Sequence, residues 1–500
     1  MGGSGSRRLS GSALCYGGWS TDRMGIESPP RIPLSTRREF LEASGRSAAL
    51  ALGLGSIRVH ATREVDLLLQ NGRWFAGGRW QSGPVGVDHA GKLRLGADLV
   101  GARTLDVSGR VISPGFIDIL ADNGSNPAET FPVFEKYKVS DGVTTALQMH
   151  GGTADCADYY RRLGARSHAI NYGASTFVMA IRYRTQDLAN RKRLIERNLD
   201  EGALGVSHSI EYQPAPFEEL VEYARLARKY DRPFFLHLRY SSAEQELEGV
   251  DEAIRIARAS GARTHIAHLH STGGTFRMEE ALAKIRAGIA EGLAITTCVY
   301  PYTYWATYLS SRRFGSGWQE RYGLTYGDLR VVGTGERLTA ASFDHYRSTQ
   351  TLVSVPEGTM PFAKTLDLAL AEDFCLIGSD GGIQREPRAN SHPRGAGCFA
   401  TAVGYALDRG IPMERMLAKM TSLPAGLMRP ALNGRGVMEE GAVADLTVFD
   451  PAEIRGRATV ENPNQMSSGI HLVLVNGQVA CRDGNPVSRS GVGLRHQPIA

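Results

Sequence analysis

Phe374-Cys375-Leu376-Ile377-Gly378-Ser379-Asp380-Gly381-Gly382 is an apolar run that ends in a carboxylate set among glycines. The pattern predicts a buried strand that delivers Asp380 to a cleft. Seven earlier apolar runs share its character, at 111–119, 143–149, 171–178, 203–210, 233–240, 265–270 and 294–300. Helical periodicity fills the intervals: Phe217, Leu220, Val221 and Ala224 share one face, and Met278, Leu282 and Ile285 share another. Strands alternating with helices in one series predict an α/β fold, a TIM (β/α)8 barrel over residues 111–433. Residues 305–364, between the seventh and eighth runs, exceed what a crossover needs. They read as an insertion over an active site, a lid or a helical subdomain.

Both flanks are short, β-rich and broken by turns, as in Val65-Asp66-Leu67-Leu68-Leu69-Gln70-Asn71-Gly72 and His471-Leu472-Val473-Leu474-Val475-Asn476-Gly477. Residues 62–110 and 434–490 are therefore expected to form one small β-sandwich domain from both chain ends. The first 61 residues read as a targeting segment. Ser35-Thr36-Arg37-Arg38-Glu39-Phe40-Leu41 resembles a bacterial twin-arginine signal, a weakly apolar run follows, and Val59-His60-Ala61 suits cleavage. That run is too short and too rich in Gly and Ala for stable membrane insertion. Met24 is an alternative initiator. The reading implies the twin-arginine export machinery as a partner and a periplasmic or secreted destination.

The formal charge of +5 comes almost wholly from this segment, which carries eight Arg against Asp22, Glu27, Glu39 and Glu42. The remainder is near neutral, which gives no case for nucleic acid as a partner. Hydrophobic residues make up 42% and charged residues 22%, as in a soluble globular enzyme. Cys156, Cys298, Cys375, Cys398 and Cys481 show no paired spacing and read as free thiols.

Barrel side chains at the C-terminal strand ends point into the catalytic face. Period-two alternation places His150, His237, Arg239, His268, His270 and Asp380 inward at that rim, with His265 on the opposite face and His208 unassigned. A lone histidine is ordinarily a satisfied structural residue. Several at one end of a barrel form the donor set of a catalytic zinc.

On these residues the chain resembles the amidohydrolase superfamily, and within it the N-acyl-D-amino-acid deacylases, or D-aminoacylases. The matching segments span most of residues 65–480. They include Ser113-Pro114-Gly115-Phe116-Ile117-Asp118, Gly202-Ala203-Leu204-Gly205-Val206-Ser207, His237-Leu238-Arg239, Ala267-His268-Leu269-His270, Tyr300-Pro301-Tyr302, Gly378-Ser379-Asp380-Gly381 and His392-Pro393-Arg394. The resemblance implies His237 and His268 as metal ligands and Asp380 as general base and acid beside a metal-bound hydroxide. It implies Arg394, with a tyrosine from Tyr300-Pro301-Tyr302, as the holder of a substrate carboxylate; Arg239, His270, Tyr302 and His392 complete the expected substrate-binding set. Two departures bear on the metal. Leu120-Ala121-Asp122 replaces the superfamily's His-x-His, and Met149-His150-Gly151-Gly152 stands where a cysteine is expected. The expectation is one zinc ion per chain, held by His237 and His268 with His150 or Asp122 as third ligand.

The activity implied is metal-dependent hydrolysis of the amide of a small-molecule N-acyl amino acid of the D series. The alternatives are a cyclic-amide hydrolase of the hydantoinase or dihydroorotase kind and a metal-less periplasmic ligand-binding protein.

Overall fold

A computed structural model describes residues 62–121, 127–240, 242–349, 351–355, 361–382, 390 and 392–496. The expected twin-arginine segment and Asp122 lie outside the described residues.

Eight strands form one sheet in chain order: β1 (Phe116–Asp118), β2 (Val143–Thr153), β3 (Asn171–Phe177), β4 (Val206–Ser209), β5 (Phe234–His237), β6 (Thr264–Ile266), β7 (Ile295–Val299) and β8 (Cys375–Ile377). Every pairing between neighbours is parallel. Parallel strands must be joined by crossovers, here mostly helical, so the sheet curls into a barrel wrapped by helices. Alternate side chains then divide between two layers. Ile117, Leu147, Phe235, Cys298 and Leu376 meet in an interior cluster. Ala146, Val206, Ile266 and Val299 pack outward in the cluster that holds the helix residues Leu220, Ala253 and Ile285. Burial of each large apolar side chain contributes about 1.5–3 kcal/mol.

No ladder pairs β8 with β1 among the described residues. Side chains close that seam instead. Asp118 accepts from Ser379 N (3.0 Å), Ser379 Oγ (2.5 Å) and Lys138 Nζ (2.8 Å), with Lys138 fully buried.

The run 111–119, expected as one strand, is two. Val111–Pro114 pairs antiparallel with Leu446–Phe449 in the five-stranded sheet of the β-sandwich, and only Phe116–Asp118 enters the barrel. Gly115 lies at the break, where a Cβ would stand 2.2 Å from Thr144 Oγ1. The second sheet of the sandwich contains Arg63–Gln70, Val85–Val87, Leu93–Leu95 and Leu99–Asp106. Leu67, Leu69 and Val87 from that sheet share one core with Leu446, Val448, Leu472 and Leu474 from the other, so both chain ends build the domain.

The insertion has its own architecture. Leu352–Ser354 is the central strand between Ala306–Tyr308 and Arg330–Val331, with the short helices Trp318–Tyr322 and Ala340–Arg347 beside them. An aromatic core holds it together: Trp318 stacks on Phe343 at 5.4 Å and Trp305 on Phe314 at 6.0 Å. The five cysteines among the described residues are buried and unpaired, and no helix among those residues is long and apolar enough to cross a membrane.

Candidate active site

Three imidazoles meet at the C-terminal face of the barrel. The ligand atoms of His150, His237 and His268 lie within 4.8 Å of one another. Each histidine arrives by a different route. His237 is the last residue of β5 and keeps the inward parity of Phe235. His150 stands on a bulge: Ala174 of β3 faces Gln148, but Thr176 already faces Thr153, so the intervening β2 residues bow out. Gly152 completes the bulge at φ +100°, where a Cβ would lie 2.4 Å from Ser175 O.

His268 is the instructive case. On β6, Ile266 faces the helices, whereas His265 packs at a tilt on the interior Phe235, 4.6 Å between ring centres. Simple alternation from there would turn His268 outward. A left-handed φ of 29° at His268 re-aims the ring; beyond β8, Asp380 is also left-handed, at φ 48°, while keeping the inward parity of Leu376. Such conformations cost on the order of 1–3 kcal/mol in a non-glycine residue and persist only where the surroundings impose them. At His268, the backbone N–H donates to Cys298 Sγ at 3.3 Å, and Nδ1 pairs with Ser271 Oγ at 2.8 Å.

Burial holds the imidazoles of His237 and His268 well below the ordinary histidine range, so both are neutral, the form that binds metal. His237 Nδ1 donates to Leu238 O at 3.1 Å, which leaves Nε2 with the lone pair. Asp380 lies alongside, 2.9 Å from His150 Nδ1 and 3.9 Å from His268 Nε2. Burial pushes its carboxyl up, but the Arg394 guanidinium beside it and the hydrogen bond from His150 outweigh burial and hold it well below the carboxylate range. Arg394 Nη2 donates to Asp380 Oδ2 and Nε to Asp380 O, both at 2.7 Å. Its guanidinium lies 4.4 Å over the Tyr300 ring, and its Nη1 has no hydrogen-bond partner among the described residues.

These groups share a cavity of about 310 Å³. His150, His237, His268, Asp380, Tyr300 and Arg394 line it together with the apolar and aromatic Phe177, Met179, Tyr212, Trp305, Tyr308 and Leu352. Three imidazoles, those of His237 and His268 buried and neutral, around a space that also opens to a substrate-sized cavity fit a catalytic zinc with an open position. Leu120, at the first position of the missing His-x-His, is fully buried in the apolar interior.

Other residues singled out in the sequence lie elsewhere. Arg239 follows the end of β5 and turns away to a two-pronged pair with Glu252, at 3.0 Å for both bonds. The inward parity assigned to it ends with the pleated strand. His270 falls in the 3-10 turn Leu269–Ser271 and packs on Tyr300 at 4.1 Å, outside the cavity lining. Tyr302 is also outside it, 3.2 Å from Thr401 Oγ1, and Tyr300 is the tyrosine of that motif at the cavity. His392 stands behind Arg394: Nδ1 accepts the Arg394 backbone N–H at 3.0 Å, and the ring stacks on Tyr304 at 4.7 Å. His208 is buried and hydrogen-bonds Gln213 O at 2.9 Å. Sequence reading missed Glu211, Tyr212, Ser271 and Arg313. Of these, Tyr212, Ser271 and Arg313 line the cavity, and Arg313 comes from the insertion, where no periodicity marks it.

No family model matches the chain. The N-acyl-D-glutamate deacylase of Alcaligenes xylosoxydans xylosoxydans is 29% identical over 86% of this chain and 97% of its own length. The D-aminoacylase of the same organism is 29% identical over 82% of this chain and 93% of its own. Among solved structures, an N-acyl-D-glutamate deacylase from Bordetella bronchiseptica, complexed with zinc and a phosphonate mimic of the tetrahedral intermediate, superposes with a TM-score of 0.71. It is 24% identical and covers 87% of this chain and 100% of its own, which supports the barrel assignment.

Proposed function

We propose, taking the chain as a relative of the N-acyl-D-amino-acid deacylases within the amidohydrolase superfamily, that it hydrolyses the amide bond of an N-acyl-D-amino acid. One divalent metal, zinc, is held by His150, His237 and His268. The observation that carries this reading is the convergence of three imidazoles beside Asp380 and Arg394 in one cavity. A zinc ion there supplies Lewis acidity and lowers the pKa of water to about 7. Asp380, kept ionised, accepts the proton of the attacking water and returns it to the leaving amine nitrogen. His150 Nδ1 and Arg394 Nη2 hold its two oxygens in place. Arg394 turns its remaining Nη1 to the substrate carboxylate, next to Tyr300. The buried Leu120 removes a donor from the position where the superfamily's second ion is bound, which supports a single-ion site. Export to the periplasm by the twin-arginine route belongs to the proposal and rests on Ser35-Thr36-Arg37-Arg38-Glu39-Phe40-Leu41.

A panel of N-acetyl-D- and N-acetyl-L-amino acids, assayed with zinc-loaded protein, tests the reading. Release of free D-amino acids is expected. Hydrolysis of cyclic amides alone, or of nothing on the panel, contradicts it.

A further inference from the structure

Among the described residues, an ion pair links the insertion to the metal cluster. Arg313 is buried, with its side chain 5% exposed, and forks onto both oxygens of Glu211 at 2.8 Å each. Glu211 lies just past β4 on the barrel rim, and its Oε2 stands 3.9 Å from His237 Nδ1. The carboxylate thus lies between a buried guanidinium and a ligand imidazole. Arg313 also stacks over Trp305 at 4.5 Å, and both line the cavity. Tyr322 of the insertion adds a contact from its hydroxyl to Glu211 Oε1 at 3.5 Å.

A guanidinium taken out of water this close to a divalent ion repels it with little solvent screening. A carboxylate near the Nδ1–H of a ligand histidine, which here donates to Leu238 O, has the opposite effect: its charge strengthens the ring's donor nitrogen. We propose that Glu211 is a positioning residue of the metal cluster, which shields the ion from Arg313 and strengthens His237 as a donor while it anchors the insertion as a cavity wall. The proposal rests on the reading that His150, His237 and His268 hold zinc.

The two halves of the pair therefore act with opposite sign on the metal. Glu211→Gln keeps the size of the side chain and leaves Arg313 uncompensated, so zinc binding weakens by about tenfold or more. Arg313→Met leaves the carboxylate facing His237, so zinc affinity stays at or above that of the parent while KM rises as the Trp305 wall loosens. The double variant moves zinc affinity back toward the parent. The experiment is a competition titration of zinc into metal-free full-length protein for parent, both single variants and the double variant, with circular dichroism to confirm folding and KM and kcat measured alongside. Glu211→Gln that binds zinc as tightly as the parent overturns the proposal. So does Arg313→Met that loses zinc to the same extent as Glu211→Gln, since a merely structural pair would act equally from both ends. If Glu211→Gln does not fold, the Arg313→Met titration decides alone. A parent that binds no zinc removes the functional reading and this inference with it; unchanged variants of a zinc-binding parent remove this inference only.

Discussion

The two sides of the barrel rim are built for different ends. At β2, β5 and β6 the strand ends present imidazoles to a common point. At β1 the chain presents Leu120 to the apolar interior and uses Asp118, with Lys138 and Ser379, to close the seam with β8. The difference teaches where the chemistry lies. The donor-bearing side gathers its imidazoles around one point beside Asp380, and the apolar side ties down Ser379, the residue directly before Asp380 in the chain.

The largest effect should come from the reactive side. Asp380→Asn is expected to lower kcat by about 10²–10⁴ with zinc content unchanged, measured by steady-state kinetics and elemental analysis. Near-parental turnover would detach the carboxylate from the chemistry. On the structural side, Lys138→Met leaves the Asp118 carboxylate buried without its cation and should destabilise the fold by about 3–5 kcal/mol in denaturant unfolding. An effect under about 1 kcal/mol would show that the seam does not depend on the pair. The smallest effect tests whether the two sides can be made alike. Leu120→His buries a polar ring in an apolar cluster, so it should cost about 1–3 kcal/mol while zinc stays at one ion per chain. A second bound ion in that variant would mean the apolar side needs only one donor to rejoin the site.

The strand count was legible in the sequence because the apolar runs and helical faces carry distinct periods. His237 was legible for the same reason, since β5 stays pleated to its end. Asp380 likewise follows the inward parity of Leu376. His150 and His268 do not follow their strands: His150 depends on a bulge and His268 on left-handed backbone, neither of which a period of two encodes. That is also why Arg239 and His270, assigned inward by parity, turn elsewhere, and why Tyr300 replaces Tyr302 at the cavity. Arg313 and Glu211 were silent because their pairing joins an aperiodic insertion to a distant loop. The composite sandwich was read from β-rich flanks, but the place where its strand yields to the barrel is fixed by a contact, Gly115 against Thr144, that no local pattern reveals.

The central claim is a single-ion site on one side of the rim. The most direct measurement is the zinc stoichiometry of the purified full-length protein, reconstituted with excess zinc and dialysed, then quantified by elemental analysis against protein concentration. One tightly bound zinc per chain, lost in His268→Ala, is the expected result. Two tightly bound ions, or none, would contradict it.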